Sequence, residues 1–387
     1  MSSQAHDPAV LRGLGVLLAG ALLAAGCELE FKGGQSEFGL SPHTRELLGG
    51  EGSESQALEA QLARLFGGVR DPRFAVPAEV LDQPGRHLEV AGLDLDGSRA
   101  SERAASLAQS AALYGRKCLH CHGNEGGGDG VTAHSLRPVP RDFRQGVFKF
   151  HGLKHQARPE PIDLARVIRE GVEGTAMPSF RDLSQAEIQG LAEFTRLLAM
   201  RGEVELLLAS EHERGADFSD AAADEAFELV LERWVGTPRE RLVAPPAPPA
   251  SRASIERGFE LFHDARGPNC AGCHGALGRG PGPAALAPSP QDPEARVPAL
   301  FDLWGRAALP PDLSTARFLH GRRPADLYAR IYLGIDGTPM AGIGDALAPG
   351  GARRFTDEDL WALVHFVRAL SDPAWDDLRS ELERRLP

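Results

Sequence analysis

Aromatic residues are scarce in this chain: Phe, Trp and Tyr make up 6% of its 387 residues, with four Trp and three Tyr. That length suggests two or three domains. So few flat side chains fill such cores poorly, and a large apolar group bound by the chain could supply the missing filler. No long hydrophobic span is present either. The main apolar run, residues 14–26, has thirteen residues, whereas about 20 are needed to cross a bilayer. Basic excess is also lacking: 42 Lys and Arg stand against 54 Asp and Glu, a net charge of −12. With no basic stripe, nucleic-acid binding is excluded. Glycine (44) and proline (29) are plentiful instead, which favours short helices tied by irregular loops over a sheet-rich fold.

The N-terminus reads as an export signal. Arg12 is the only Lys or Arg in the first 27 residues, and the apolar run behind it ends in LLAAGC. Its length fits a signal h-region. The small residues before Cys27 resemble a bacterial lipobox, which implies a signal peptide of residues 1–26, cleavage before Cys27 and lipidation of its thiol. An ordinary signal cut nearby, leaving a soluble periplasmic protein, is the alternative. The expected location is the bacterial periplasm or cell envelope, with a lipid anchor in a membrane. Five cysteines are present; four sit in two CxxCH motifs and the fifth is Cys27, so no pair is left for a disulfide.

The chain repeats itself. PIDLARVIREGVEGTAM, starting at Pro161, aligns without gaps on PADLYARIYLGIDGTPM, starting at Pro324. PRDF (from Pro140) matches PPDL (from Pro310), and His151-Gly152 matches His320-Gly321. The CxxCH motifs, Cys118 to His122 and Cys270 to His274, keep the same order. A duplicated domain follows. In each copy the pattern predicts a helix before CxxCH (104–114; 255–262), a Gly/Pro-rich loop and a short helix (163–170; 326–333). A last helix follows (184–200; 356–370), opened by Ser184 with Glu187 and by Thr356 with Asp359 at capping-box spacing. Residues 27–99 read as a lipidated N-terminal tether or extension, with one short helix near 57–66. Residues 201–250 read as an acidic, partly helical connector with a Pro-rich spacer at 244–250, and 373–387 as a tail. The acidity lies in the leader and connector: residues 28–99 hold 13 acids and 7 bases, and residues 201–250 hold 11 and 5.

CxxCH is a motif with a physical mechanism. Two thiols three residues apart can bridge the two vinyl groups of one haem, and the adjacent histidine then falls beneath the iron. Cys118, Cys121 and His122 are expected to hold one haem c, and Cys270, Cys273 and His274 a second. A redox CxxC pair would want a βαβ context, and a zinc site a second Cys pair nearby; both are missing. Four methionines exist, and Met177 and Met340 fall at the same point of the repeat, behind Gly-x-x-Gly-Thr-x. A soft thioether suits iron and favours the ferrous state, so these two are expected as the distal axial ligands. Met200 reads as packing. His151 and His320 are the best rivals for the distal position, ahead of His134, His155 and His365. The glycine-rich stretch after His122 lacks a phosphate-loop context and reads as flexible backbone. Asn124, Glu125 and Asp129 in it are a weak calcium candidate. A backbone carbonyl from Pro138, Pro140 or Pro298 is expected to hold a proximal imidazole.

Taken together, the repeats resemble class I c-type cytochrome domains, over residues 100–200 and 251–372. That resemblance implies an all-α fold of two tandem domains, with the first and last helix of each copy packed together. It also implies an electron carrier, with no catalytic residues, between a quinol-oxidising complex and a terminal oxidase or reductase. The second copy departs from the pattern in having Met340-Ala341 where the first has Met177-Pro178. Two further readings remain open at this point. One is a dihaem peroxidase, which needs an open distal side. The other is a fixed electron-entry subunit of a larger oxidoreductase.

Overall fold

A computed structural model describes residues 38–74, 100–154, 157–235, 240–346 and 353–386, the side chains of 100–106 and 235 excepted. Cys27, the expected signal peptide and His155 lie outside the described residues. The helices are α1 (Pro42–Leu47), α2 (Ser53–Phe66), α3 (Ala100–Lys117), α4 (Leu119–His122), α5 (Pro161–Glu170), α6 (Gln185–Glu213), α7 (Asp220–Val235), α8 (Arg252–His263), α9 (Cys270–His274), α10 (Pro324–Leu333), α11 (Asp357–Ala369) and α12 (Asp376–Glu383). Among the described residues the only sheet is an antiparallel pair, β1 (Leu286–Pro288) and β2 (Arg296–Pro298). The all-α expectation stands.

The helix starts follow from local chemistry. The Ser184 hydroxyl accepts from the Glu187 amide, and Glu187 accepts from the Ser184 amide in return. Thr356 and Asp359 make the same reciprocal pair. Pro161 and Pro324 open α5 and α10, where the missing N–H costs nothing. In each copy the first and last helix cross where a glycine lets them approach. On α6 it is Gly190, against Ser110 of α3; on α8 it is Gly258, against the Ala362 carbonyl and Phe366 of α11.

The apolar core of the first domain is larger than the repeat. It takes in Leu58, Leu62, Leu65 and Phe66 of α2 and Phe227, Val230, Leu231 and Trp234 of α7, besides Phe194, Leu197 and Leu198 of α6. Residues 38–74, read from the sequence as part of a tether, are therefore folded onto the first domain. The cause is the i, i+4, i+7 stripe Leu58-Leu62-Leu65, which needs a partner. Polar bonds fix the segment as well. Glu205 accepts from the Ser41 amide at 2.7 Å, Glu125 accepts from the Gly39 amide at 2.9 Å, and Arg201 donates to the Gly39 carbonyl at 2.9 Å.

The expected connector is likewise mostly domain. α6 runs on to Glu213, about 43 Å at 1.5 Å per residue, so Met200 lies in mid-helix, 1% exposed, as packing. α7 returns along it, with the Trp234 indole donating to buried Glu203 at 2.7 Å. Among the described residues, the stretch from Glu240 onward links the two copies. Its Leu242 amide donates to the Gly152 carbonyl at 2.8 Å, and its Pro248 carbonyl lies 3.1 Å from His365 Nε2. The tail adds α12, whose Leu378 and Leu382 join the second core with Phe262, Trp361 and Phe366.

Candidate functional site

Each CxxCH forms a single helical turn with both thiols half-buried. In the first copy Tyr114 of α3 donates to the Gly123 carbonyl at 2.8 Å and ties the turn to the core. Burial, then the neighbouring Cys121, pushes the Cys118 thiol up to about 12. Burial pushes Cys270 up to about 11. No group of three or more His, Cys, Asp or Glu able to hold a metal ion occurs among the described residues, which leaves the calcium candidate without support.

The glycine-rich stretch is not loose backbone. The Gly128 amide donates to the His122 carbonyl at 2.9 Å and the Gly130 amide to the Cys121 carbonyl at 3.1 Å. The second copy repeats both bonds, Gly280 to His274 at 2.7 Å and Gly282 to Cys273 at 2.6 Å. Next, Phe143 N bonds to Gly126 O and Leu313 N to Gly278 O, each at 2.7 Å. The signal for this cradle was in the sequence: glycines stand 1, 4, 6 and 8 places after both His122 and His274. Gly128 (φ 71°) and Gly280 (φ 37°) adopt the backbone region that favours glycine.

This cradle delivers the segment that orients the imidazole. His122 Nδ1 lies 3.2 Å from the Arg141 carbonyl. A carbonyl only accepts, so Nδ1 carries the proton and the Nε2 lone pair is left for a metal. Phe143 stacks on the same ring, 4.7 Å between centroids. Burial pulls the His122 pKa down to about 4, which keeps the imidazole neutral. The carbonyl partner is thus Arg141 and none of the three prolines expected. His274 Nδ1 is buried without a protein partner. The matching segment runs beside the second cradle, since a side chain on Gly280 would meet Pro310 and Pro311 oxygens as one on Gly128 meets Pro140 and Arg141 atoms.

The two methionine turns are built alike. The Val172 amide donates to the Met177 carbonyl at 3.1 Å, and Ile335 to Met340 at 2.9 Å. Thr175 and Thr338 hydroxyls donate to the Val172 and Ile335 carbonyls at 2.8 and 2.7 Å, and accept from the Met177 and Met340 amides at 3.1 and 3.2 Å. Both methionines are half-buried, unlike Met200. The Met340-Ala341 departure leaves the turn unchanged.

The rival histidines are engaged elsewhere. His151 accepts from the Leu153 amide at Nδ1, 3.2 Å, so its Nε2–H donates to Asp336 at 2.8 Å. Asp336 belongs to the Met340 turn, so a histidine of the first domain braces the second domain's turn. The repeat equivalent of Asp336 is Glu173, in the Met177 turn, which pairs with Arg322 of the second domain. His320 is 6% exposed and stacks on Phe150 of the first domain at 4.8 Å. His365 contacts Ser254 and Pro248; His120 and His134 are exposed. Sequence reasoning missed this interface, together with Arg141, whose guanidinium lies 3.5 Å over the Trp304 ring of the second domain.

The residues present fit two haem c groups. Each copy offers a thiol pair, an adjacent imidazole, a half-buried thioether on a fixed turn and buried donors lacking a protein partner, and in the first copy the imidazole lone pair is directed by the Arg141 carbonyl. Residues 105–194 match the family described as cytochrome c oxidase, cbb3-type, subunit III. Residues 255–371 match the family cytochrome c. Among solved structures, a chain of the Kuenenia stuttgartiensis reducing HAO-like protein complex is similar, with a TM-score of 0.51 and 24% identity, over 68% of this chain and 96% of that one. At that identity the likeness speaks for the fold alone. No curated protein matches.

Proposed function

The chain is a dihaem c-type cytochrome, two cytochrome c domains in tandem with a covalently bound haem in each, and from that premise we propose that it passes single electrons along a respiratory chain, between a quinol-oxidising complex and a terminal oxidase or reductase. Haem c supplies a one-electron couple at iron. The chain's part is to attach it through Cys118 and Cys121, and through Cys270 and Cys273. His122 and His274 are assigned as proximal ligands, and Met177 and Met340 as distal ones. The carrying observation is the pair of identically bonded methionine turns, one per copy. An iron closed by imidazole and thioether has no position for a substrate, which favours a carrier over a peroxidase. Lipidation of Cys27 would keep the protein on a membrane of the cell envelope, on the periplasmic side, near its redox partners.

An optical redox titration of the full-length protein tests this reading. Two low-spin haems and two one-electron waves are expected. Met177→Ala and Met340→Ala should each remove part of the weak ferric thioether–iron absorption and lower one wave by at least ~59 mV, a tenfold change for a one-electron couple. A single haem per chain, a high-spin signal, rapid cyanide binding or peroxide turnover by the unaltered protein would overturn it.

A further inference from the structure

The domain interface holds a group of cations with too few anions. Arg141 and Lys149 come from the first domain and Arg306 from the second. The carboxylate among them is Asp302, 3.7 Å from Lys149, and its other oxygen already accepts from the Trp304 and Arg306 amides; Asp142, which also acts on Arg141, is already paired with Arg144 at 2.8 Å. Arg306 donates to the Pro140 carbonyl at 3.2 Å. Two buried donors lack a protein partner altogether: Arg141 Nη1 and Trp304 Nε1. Burial, then the neighbouring guanidinium of Arg141, pulls the Lys149 pKa down to about 8. Burying donors and charges without partners is destabilising, so the cluster calls for an anion with several acceptor oxygens.

Its position says which anion. Arg141 is the residue whose carbonyl holds His122, so the cluster lies beside the first domain's proximal ligand. The ligand that the first domain binds carries two carboxylates on its rim. Trp304 and Arg306 have no counterpart in the first copy. Pro310 follows His274 by 36 residues, whereas Pro140 follows His122 by 18, and both residues lie in the extra length.

We propose that Trp304 of the second domain is part of the first domain's haem site: its indole N–H and the Arg141 guanidinium, backed by Lys149 and Arg306, hold the haem carboxylates. This rests on the His122 assignment made above. The same indole is braced from behind by the second domain's distal turn. A side chain on Gly337 would meet the Trp304 ring at 2.7 Å, and the Leu303 amide donates to the Gly337 carbonyl at 2.8 Å. Trp304 is therefore held between Arg141 of the first domain and the distal turn of the second.

Trp304→Phe in the full-length holoprotein tests the proposal, because it keeps a ring against Arg141 and Gly337 and removes only the N–H. Potentiometric titration is the readout, with Met177→Ala identifying the first domain's wave. Loss of a donor leaves the carboxylate charge less compensated and favours the ferric state. The first wave should fall by a roughly fivefold change in the reduced-to-oxidised ratio, about 40 mV, and Arg306→Gln should move it the same way. An unmoved first wave, or a shift confined to the second, overturns the proposal. If the unaltered protein holds two haems with two thioether–iron bands, that failure belongs to this proposal; if it does not, the His122 and Met177 assignment has failed instead.

Discussion

Replacing Gly128 by alanine should loosen the first centre while sparing the second. Gly128 stands at φ 71°, where an L side chain costs about 1–2 kcal/mol; the stiffer unfolded chain returns about 0.4–1 kcal/mol. The new Cβ would lie 2.5 Å from the Pro140 oxygen and 3.0 Å from the Arg141 carbonyl carbon. The segment would have to move, at about 1–3 kcal/mol for a forced shift in a packed site. Moving it weakens the bond from His122 Nδ1 to Arg141, worth about 1 kcal/mol. The total is about 2–6 kcal/mol. With a urea slope of about 2 kcal/mol/M, the first domain's midpoint falls by about 1–3 M. Haem absorbance and far-ultraviolet circular dichroism would follow it. Gly280→Ala should do the same to the second domain. Gly215 is the control: its φ is 95° but nothing lies within 4 Å of a Cβ there, so alanine meets only the conformational cost. Equal midpoints for Gly128→Ala and Gly215→Ala would refute the idea that this cradle aims the imidazole.

Two further outcomes are open to measurement. Gly258→Ala should destabilise the second domain by about 1–3 kcal/mol, seen as a lower urea midpoint, because its Cβ lands on the Ala362 carbonyl; Gly190→Ala should cost less, since it meets the Ser110 side chain and no backbone atom. His320 gives an acid-sensitive interface. Burial lowers its folded pKa to about 4, so the unfolded chain takes up a proton first, and stability is lost as pH falls from about 6.5 towards 4 at up to about 3 kcal/mol. His320→Asn, which tolerates the positive φ of 58°, should flatten that pH dependence; an unchanged slope in urea midpoints between pH 7 and 5 would sink it.

The parts of this protein that repeat were legible in its sequence, because each repeated residue meets the same neighbour twice. The single helical turn at CxxCH, the methionine turn and the capping pairs recur in both copies for that reason. Residues 38–74 did not, because Gly, Ser and Glu around α2 mask the Leu58-Leu62-Leu65 stripe, which has meaning only against α6 and α7. The helix following Met200 was cut short because its acidic residues read as solvated, whereas Glu203 and Glu205 are buried on Trp234 and Arg201. The Arg141–Trp304 contact joins residues 163 apart, one of them in a stretch the first copy lacks, so no local pattern announced it.

The fold of residues 38–74 also sets a limit on reach. If Cys27 carries a lipid, the ten residues between it and Phe38 form the whole mooring line, and even drawn straight they measure roughly 36–40 Å. A protein moored in that way would reach no farther than about one domain's width from the bilayer, and its donor and its acceptor would both have to berth alongside it at the same membrane.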